Sequence, residues 1–223
     1  RHNVVLHQLD INNPLTVGNG QFAFTVDATG LQTFGDAFEH TIPLGTLSDW
    51  GWHTAPNPNN WSIDTFQFKN YTNLNDRPVP YADVPHNQQT PEIKWLRANP
   101  HRLDLGQIGF VLKKSDGTLA QTNDLTDITQ TLDLWNGEII SHFKFDGQPV
   151  DVETACGPFG WDLIAVHVKS PLVKSQRLSI QIHFPYGTGD TTTADWTHPD
   201  AHTTTLPQHG PKDAKFVRTL DDT

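Results

Sequence analysis

One cysteine, Cys156, stands in a chain of 223 residues, so no internal disulfide forms. Cysteine usage alone leaves the compartment open. No apolar run approaches the roughly 20 residues that a membrane-crossing helix needs, and no membrane partner is expected. Positive charge is scarce and scattered: 15 Lys and Arg stand against 25 Asp and Glu, for a formal net charge of -10. Nothing clustered is available to neutralise phosphates, which excludes nucleic acid as a partner. The 12 His are numerous enough to shift that charge as the pH falls below neutral.

Familiar catalytic signatures are missing as well. There is no Gly-x-Ser-x-Gly elbow. Gly18-Asn19-Gly20 is followed by neither a helix nor a Lys, so it reads as backbone freedom rather than a phosphate loop. His198 and His202 are four apart, but Pro199 and the neighbouring threonines argue against a helix that would aim both at one ion. They read as solvated loop histidines. Cys156 has no activating neighbour in sequence and reads as a quiet, partly buried thiol. No metal and no cofactor is expected. No signal peptide is seen, and a first residue of Arg1 reads as a mature or excised segment.

What is present is aromatic and alternating. Seven Trp and twelve Phe allow a sizeable core. From Gln130 to Phe184 apolar residues recur with period two. Leu132 and Leu134 lead into Asn136-Gly137; Ile140, Phe143 and Phe145 lead into Asp146-Gly147; Val150, Val152 and Thr154 follow. Then come Ile164, Val166 and Val168, and last Leu178, Ile180, Ile182 and Phe184. Asn-Gly and Asp-Gly between such runs are hairpin signals, so the stretch predicts an antiparallel meander with one buried face. Phe22, Phe24 and Val26 make another strand, and Arg1 to Asp10, with Val4, Val5 and Leu6 apolar, reads as an edge strand. Leu103 to Leu112 adds strands before a turn at Ser115-Asp116-Gly117, and 124–128 reads as a connector. Thr90-Pro91-Glu92 opens the one expected helix, ended by Pro100, with Ile93, Trp95 and Leu96 toward the sheet. The expectation is a single all-β domain over 1–223.

Residues 34–76 read as mostly irregular and hold Asp49, Trp50, Trp52, His53 and Trp61. A loop this long is functional or disordered, and aromatic side chains argue against disorder. The functional reading is a sugar platform. Indole faces stack on pyranose rings while Asp49 and His53 hydrogen-bond hydroxyls. The plainer reading is that the tryptophans pin the loop to its own sheet. Asn60-Trp61-Ser62 and Asn70-Tyr71-Thr72 are glycosylation sequons, which favours a secreted glycoprotein.

Two segments carry a resemblance. Leu15 to Phe24, with its Gly-Asn-Gly, resembles the strand near the start of six-hairpin glycoside hydrolases and phosphorylases. That group includes phosphorylases of maltose and kojibiose and the bacterial 1,2-α-L-fucosidases. Leu132-Asp133-Leu134, Gly137, Phe143, Asp146-Gly147, Val152-Glu153 and Asp162 to Val166 resemble the same group's second signature, in the same order. The resemblance implies an antiparallel β-supersandwich, similar to galactose-mutarotase-like folds. It also implies an (α/α)6 barrel, in cis or as a second chain, that carries the catalytic Glu or Asp. Catalytic residues are therefore expected outside this segment, whose role would be to brace the barrel and lend loops to the sugar site. The Phe-Ala-Phe after Gly20 and the long Asn-rich loop depart from the pattern and leave the substrate open. A stand-alone carbohydrate-binding module using Trp50, Trp52 and Trp61 is the rival reading. A small sugar epimerase built on His142, His167 and His183 with Glu138 and Glu153 is the third.

Overall fold

The computed structural model describes residues 2–82, 90–190 and 192–220; Arg1 and the end at Thr223 lie outside them. The expected all-β antiparallel sandwich is what the chain forms. Its larger sheet has the order β1-β10-β11-β12-β13: β1 (Val4–Leu6), β10 (Leu125–Asp133), β11 (Glu138–Phe145), β12 (Gln148–Cys156) and β13 (Ile164–Lys169). Against β11 and β12 lies a three-stranded sheet of β2 (Leu15–Gly18), β3 (Phe22–Val26) and β4 (Thr46–Ser48). Among the described residues four two-stranded pairs complete the fold. They are β5 (Trp52–His53) with β8 (His101–Arg102), β6 (Lys69–Thr72) with β7 (Pro78–Tyr81), β9 (Gln107–Leu112) with β14 (Leu178–His183), and β15 (Thr203–His209) with β16 (Ala214–Thr219).

Alternation puts one set of side chains between the sheets. Phe24 and Val26 from β3 meet Ile139, Phe143 and Phe145 from β11 and Val150 and Val152 from β12. The β9–β14 pair closes this core with Phe110, Leu112 and Leu178. Buried polar groups stitch the layers. Gln130 Nε2 donates to Asp27 O at 2.7 Å and to Ser141 Oγ at 2.9 Å, and Thr154 Oγ1 donates to Gly30 O at 2.7 Å. The Asp146-Gly147 hairpin is tight because both residues take positive φ, 49° and 72°, as a type I′ turn demands.

Four expectations are corrected. Leu178 to His183 is a strand but not part of the meander; it pairs with β9. Ser170 caps a one-turn helix, α3 (Pro171–Lys174), whose Leu172 is buried, and this carries the chain off the sheet. Leu125 to Ile128 belongs to β10, with a register shift between Thr126 and Thr129 where Asp127 takes φ 51°. Among the described residues there are three α-helices where one is expected: α1 (Gly35–Phe38), α2 (Pro91–Ala98) and α3. In α2, Thr90 Oγ1 accepts from Ile93 N at 3.3 Å, as its sequence implies. Segment 34–76 is less irregular than expected, since it also supplies β4, β5 and β6.

Candidate functional site

One end of the sandwich gathers exposed aromatic rings, and a single amide organises it. At the β2–β3 turn, Asn19 Oδ1 accepts from Gln21 N at 3.0 Å and Phe22 N at 2.9 Å. Its Nδ2 points to the β12–β13 loop and donates to the carbonyls of Gly157 at 3.2 Å, Pro158 at 3.1 Å and Trp161 at 3.0 Å. Gln21 reinforces the join, accepting from Gly160 N at 3.1 Å and donating to Asp49 Oδ2 at 3.1 Å. Because β4 runs antiparallel to β3 with Ser48 opposite Phe22, Asp49 and Trp50 emerge beside this turn.

The rings are anchored by their polar edges and open on their faces. Trp50 Nε1 donates to Asp162 Oδ2, which also accepts from Ser48 Oγ at 2.7 Å. Trp52 Nε1 donates to Asp49 O at 2.8 Å. The Arg102 guanidinium lies 4.7 Å from the Trp52 ring centre and donates to Ser48 O at 2.7 Å. Trp50 is 65% exposed, Trp161 63% and Phe159 73%. The neighbouring β10–β11 turn adds Leu134 and Trp135 at the same end, since Glu138 pairs with Ala155. Asp49, Asp162 and Arg102 supply acceptors and donors among these faces. That combination suits a ligand with both apolar C–H faces and hydroxyl groups.

The structure divides the residues singled out in the sequence. Asp49, Trp50 and Trp52 share this end. His53 does not: it is buried, with His101 at 5.0 Å and Tyr186 at 5.5 Å between ring centres. Trp61 packs 6.1 Å from Trp95 of α2, and Asn57 clamps its backbone through Trp61 N at 2.9 Å and Trp61 O at 2.7 Å. Asn60 and Asn70 are exposed. His142 meets Asp151 at 2.7 Å and His167 meets Glu153 at 3.4 Å on the solvent face of the meander, while His183 lies on β14 in another sheet. Glu138 starts β11. Among the described residues no group of three or more His, Cys, Asp or Glu is placed to hold a metal ion.

Sequence reasoning missed Asn19, Gln21, Phe159, Trp161, Asp162 and Arg102 as parts of one end. The available signal was Pro158-Phe159-Gly160-Trp161, a turn carrying two large aromatics just as Trp50-Gly51-Trp52 does. Cys156, beside this loop, is held in its thiol form: burial raises its pKa first, and the Asp162 charge raises it further. Two acids are buried elsewhere. Burial pushes Asp104 up to about 7, against hydrogen bonds from Gly106 N at 3.0 Å and Thr46 N at 3.2 Å. Burial likewise pushes Asp27 up to about 6, opposed by bonds from the Thr29 hydroxyl and from Phe34 N.

Replacing Asn19 with alanine is expected to cost about 1–2 kcal/mol, because its hydrogen bonds to half-buried and exposed partners are lost together. Urea unfolding measures the cost. Faster hydrogen exchange confined to 157–163 would show that the amide holds that loop, and unchanged exchange there would refute it.

No family model matches the chain, and neither a curated protein nor a solved structure does.

Proposed function

We propose that this chain is the β-sandwich part of a secreted carbohydrate-active enzyme, a glycoside hydrolase or phosphorylase. In this reading it braces an (α/α)6 catalytic barrel and turns its aromatic end to the sugar. The observation that carries the proposal is the pinned pair Trp50 and Trp52, whose N–H groups are committed to Asp162 and to Asp49 O while half or more of each residue stays exposed. Fixing the ring edges lowers the entropy lost when a pyranose stacks on the faces. The motif order around Gly18-Asn19-Gly20 and Leu132 to Val166 supplies the family side of the argument. The exposed sequon residues Asn60 and Asn70 are consistent with a secreted glycoprotein.

The same exposed rings favour a second reading, a carbohydrate-binding module that works alone. Calorimetric titration of the isolated chain with neutral oligosaccharides separates the two. For the module, binding is present, and Trp50→Ala or Trp52→Ala weakens it by about tenfold or more, since one stacked ring contributes on the order of 1–2 kcal/mol. For the brace, the isolated chain binds little. The protein from its native source then has a mass several hundred residues larger, and enzymatic deglycosylation lowers that mass. A native protein of this length that neither carries glycan nor binds any would sink both readings.

A further inference from the structure

A second concavity lies away from the aromatic end, over the β9–β14 pair. It encloses about 340 Å³, a volume at the lower end for small-molecule sites. Its floor follows from register. Gln107 sits opposite His183 and Gly109 opposite Gln181, so the side chains of Gln107, His183 and Gln181 share one face with the gap at Gly109. Gly109 has no alternative there: a Cβ would stand 2.6 Å from Gln32 O and 2.9 Å from Thr33 Cα. The backbone of 32–35 thus lies close over β9 and forms one wall, and Gln121 and Thr122 form another.

The lining is polar and nearly without charge. The side chains of Gln107, Gln181 and His183 make no hydrogen bond among the described residues, although the Gln107 amide rests against Gly35, where an added Cβ would stand 2.5 Å from its nitrogen and oxygen; their polar groups remain available to a ligand. A primary amide offers donors and acceptors together, as a sugar hydroxyl does. Gln107 and Gln181 stand diagonally across one face of the β9–β14 pair, so the two amides can each meet a separate hydroxyl of one ligand. Half-buried Phe34 gives the one large apolar surface. Among the described residues no Lys or Arg lines the cleft, and the charged member, Asp36, would repel phosphate or carboxylate ligands.

We propose that this cleft is a binding site for a neutral polyhydroxylated ligand of monosaccharide size, held by the amides of Gln107 and Gln181. The site is separate from the aromatic end and stands whether or not that end binds glycan.

The test is titration of the isotopically labelled chain with D-glucose, D-galactose and L-fucose, followed by amide resonances. At least one sugar is expected to bind in the millimolar range, shifting the side-chain amides of Gln107 and Gln181 and the backbone amide of Gly109. Gln181→Ala and Thr122→Val should each weaken binding by about threefold to tenfold, the size of one hydrogen bond, with the melting transition unchanged. Trp50→Ala should leave these shifts intact. Resonances that stay in place at high millimolar concentration of every sugar overturn the proposal. So do shifts abolished by Trp50→Ala, or binding at this cleft by adenosine or inorganic phosphate in preference to the sugars.

Discussion

Phe24→Ala is expected to lower the unfolding free energy by about 3–5 kcal/mol, the usual cost of emptying a fully buried aromatic site. Phe24 has no solvent exposure and sits in the middle strand of the three-stranded sheet, opposite Val17 on one side and Thr46 on the other. Its ring fills the space between that sheet and the meander, where Ile139, Phe145 and Val150 are also completely buried. Rigid strands on both sides keep the cavity from collapsing, so the loss should fall toward the upper part of the range. A domain of this kind has about 5–15 kcal/mol of stability in all, so a large share disappears. Urea unfolding gives the number, with Trp52→Ala as a surface comparison expected to change stability by less than about 1 kcal/mol. A Phe24→Ala cost of that same small size would mean that the two sheets do not share a core.

The second large effect depends on pH. Asp104 is 2% exposed, and burial raises its pKa from 3.8 to about 7. Between those values the folded chain holds a proton that the unfolded chain has released. Stability from this group is therefore complete below about pH 4 and declines as the pH rises through about 7. Asp27 acts in the same direction, with its decline ending near pH 6. Both Thr46 N and Gly106 N donate to Asp104 Oδ1, which an asparagine retains. Asp104→Asn is thus expected to match the parent at pH 4 and to exceed it at pH 8 by about 2–4 kcal/mol. The attraction between Asp104 and Arg218 lowers the pKa less than any other contribution, and its loss in the variant subtracts from that gain. His101, whose pKa burial lowers, has the opposite pH dependence, but it is present in both proteins and cancels in the comparison. The measurement is the pair of urea midpoints at the two pH values. A variant less stable than its parent at pH 8 would mean that the carboxylate is ionised and well paired.

Local chemistry in the sequence located much of this fold. Asn136-Gly137 and Asp146-Gly147 fix hairpins within a few residues, so β10, β11 and β12 could be placed side by side. The Thr90 cap and Pro91 did the same for α2. The partner of β14 was not legible, because alternation in Leu178 to His183 identifies a strand without naming its neighbour. Only the Ser170-Pro171 start of α3 hinted that the chain leaves the meander. The site was legible by halves. Trp50 and Trp52 read as aromatics for a ligand and are exposed. His53 reads as one of the same group, but it follows Trp52 in β5, and the pleat sends adjacent residues to opposite faces. The other half, Phe159 to Asp162, arrives more than a hundred residues later and is joined by Asn19, a long-range contact that Gly-Asn-Gly does not announce.

The exposure of the indoles has an optical consequence. Trp50, Trp52, Trp135 and Trp161 are exposed, and Trp61, Trp95 and Trp196 are only half-buried. The native emission is therefore expected to lie close to that of hydrated indole, with only a small change of colour on unfolding. A ligand or partner that dries the aromatic end moves the emission toward the blue. In this protein intrinsic fluorescence is a poor gauge of folding and a direct gauge of what covers Trp50 and its neighbours.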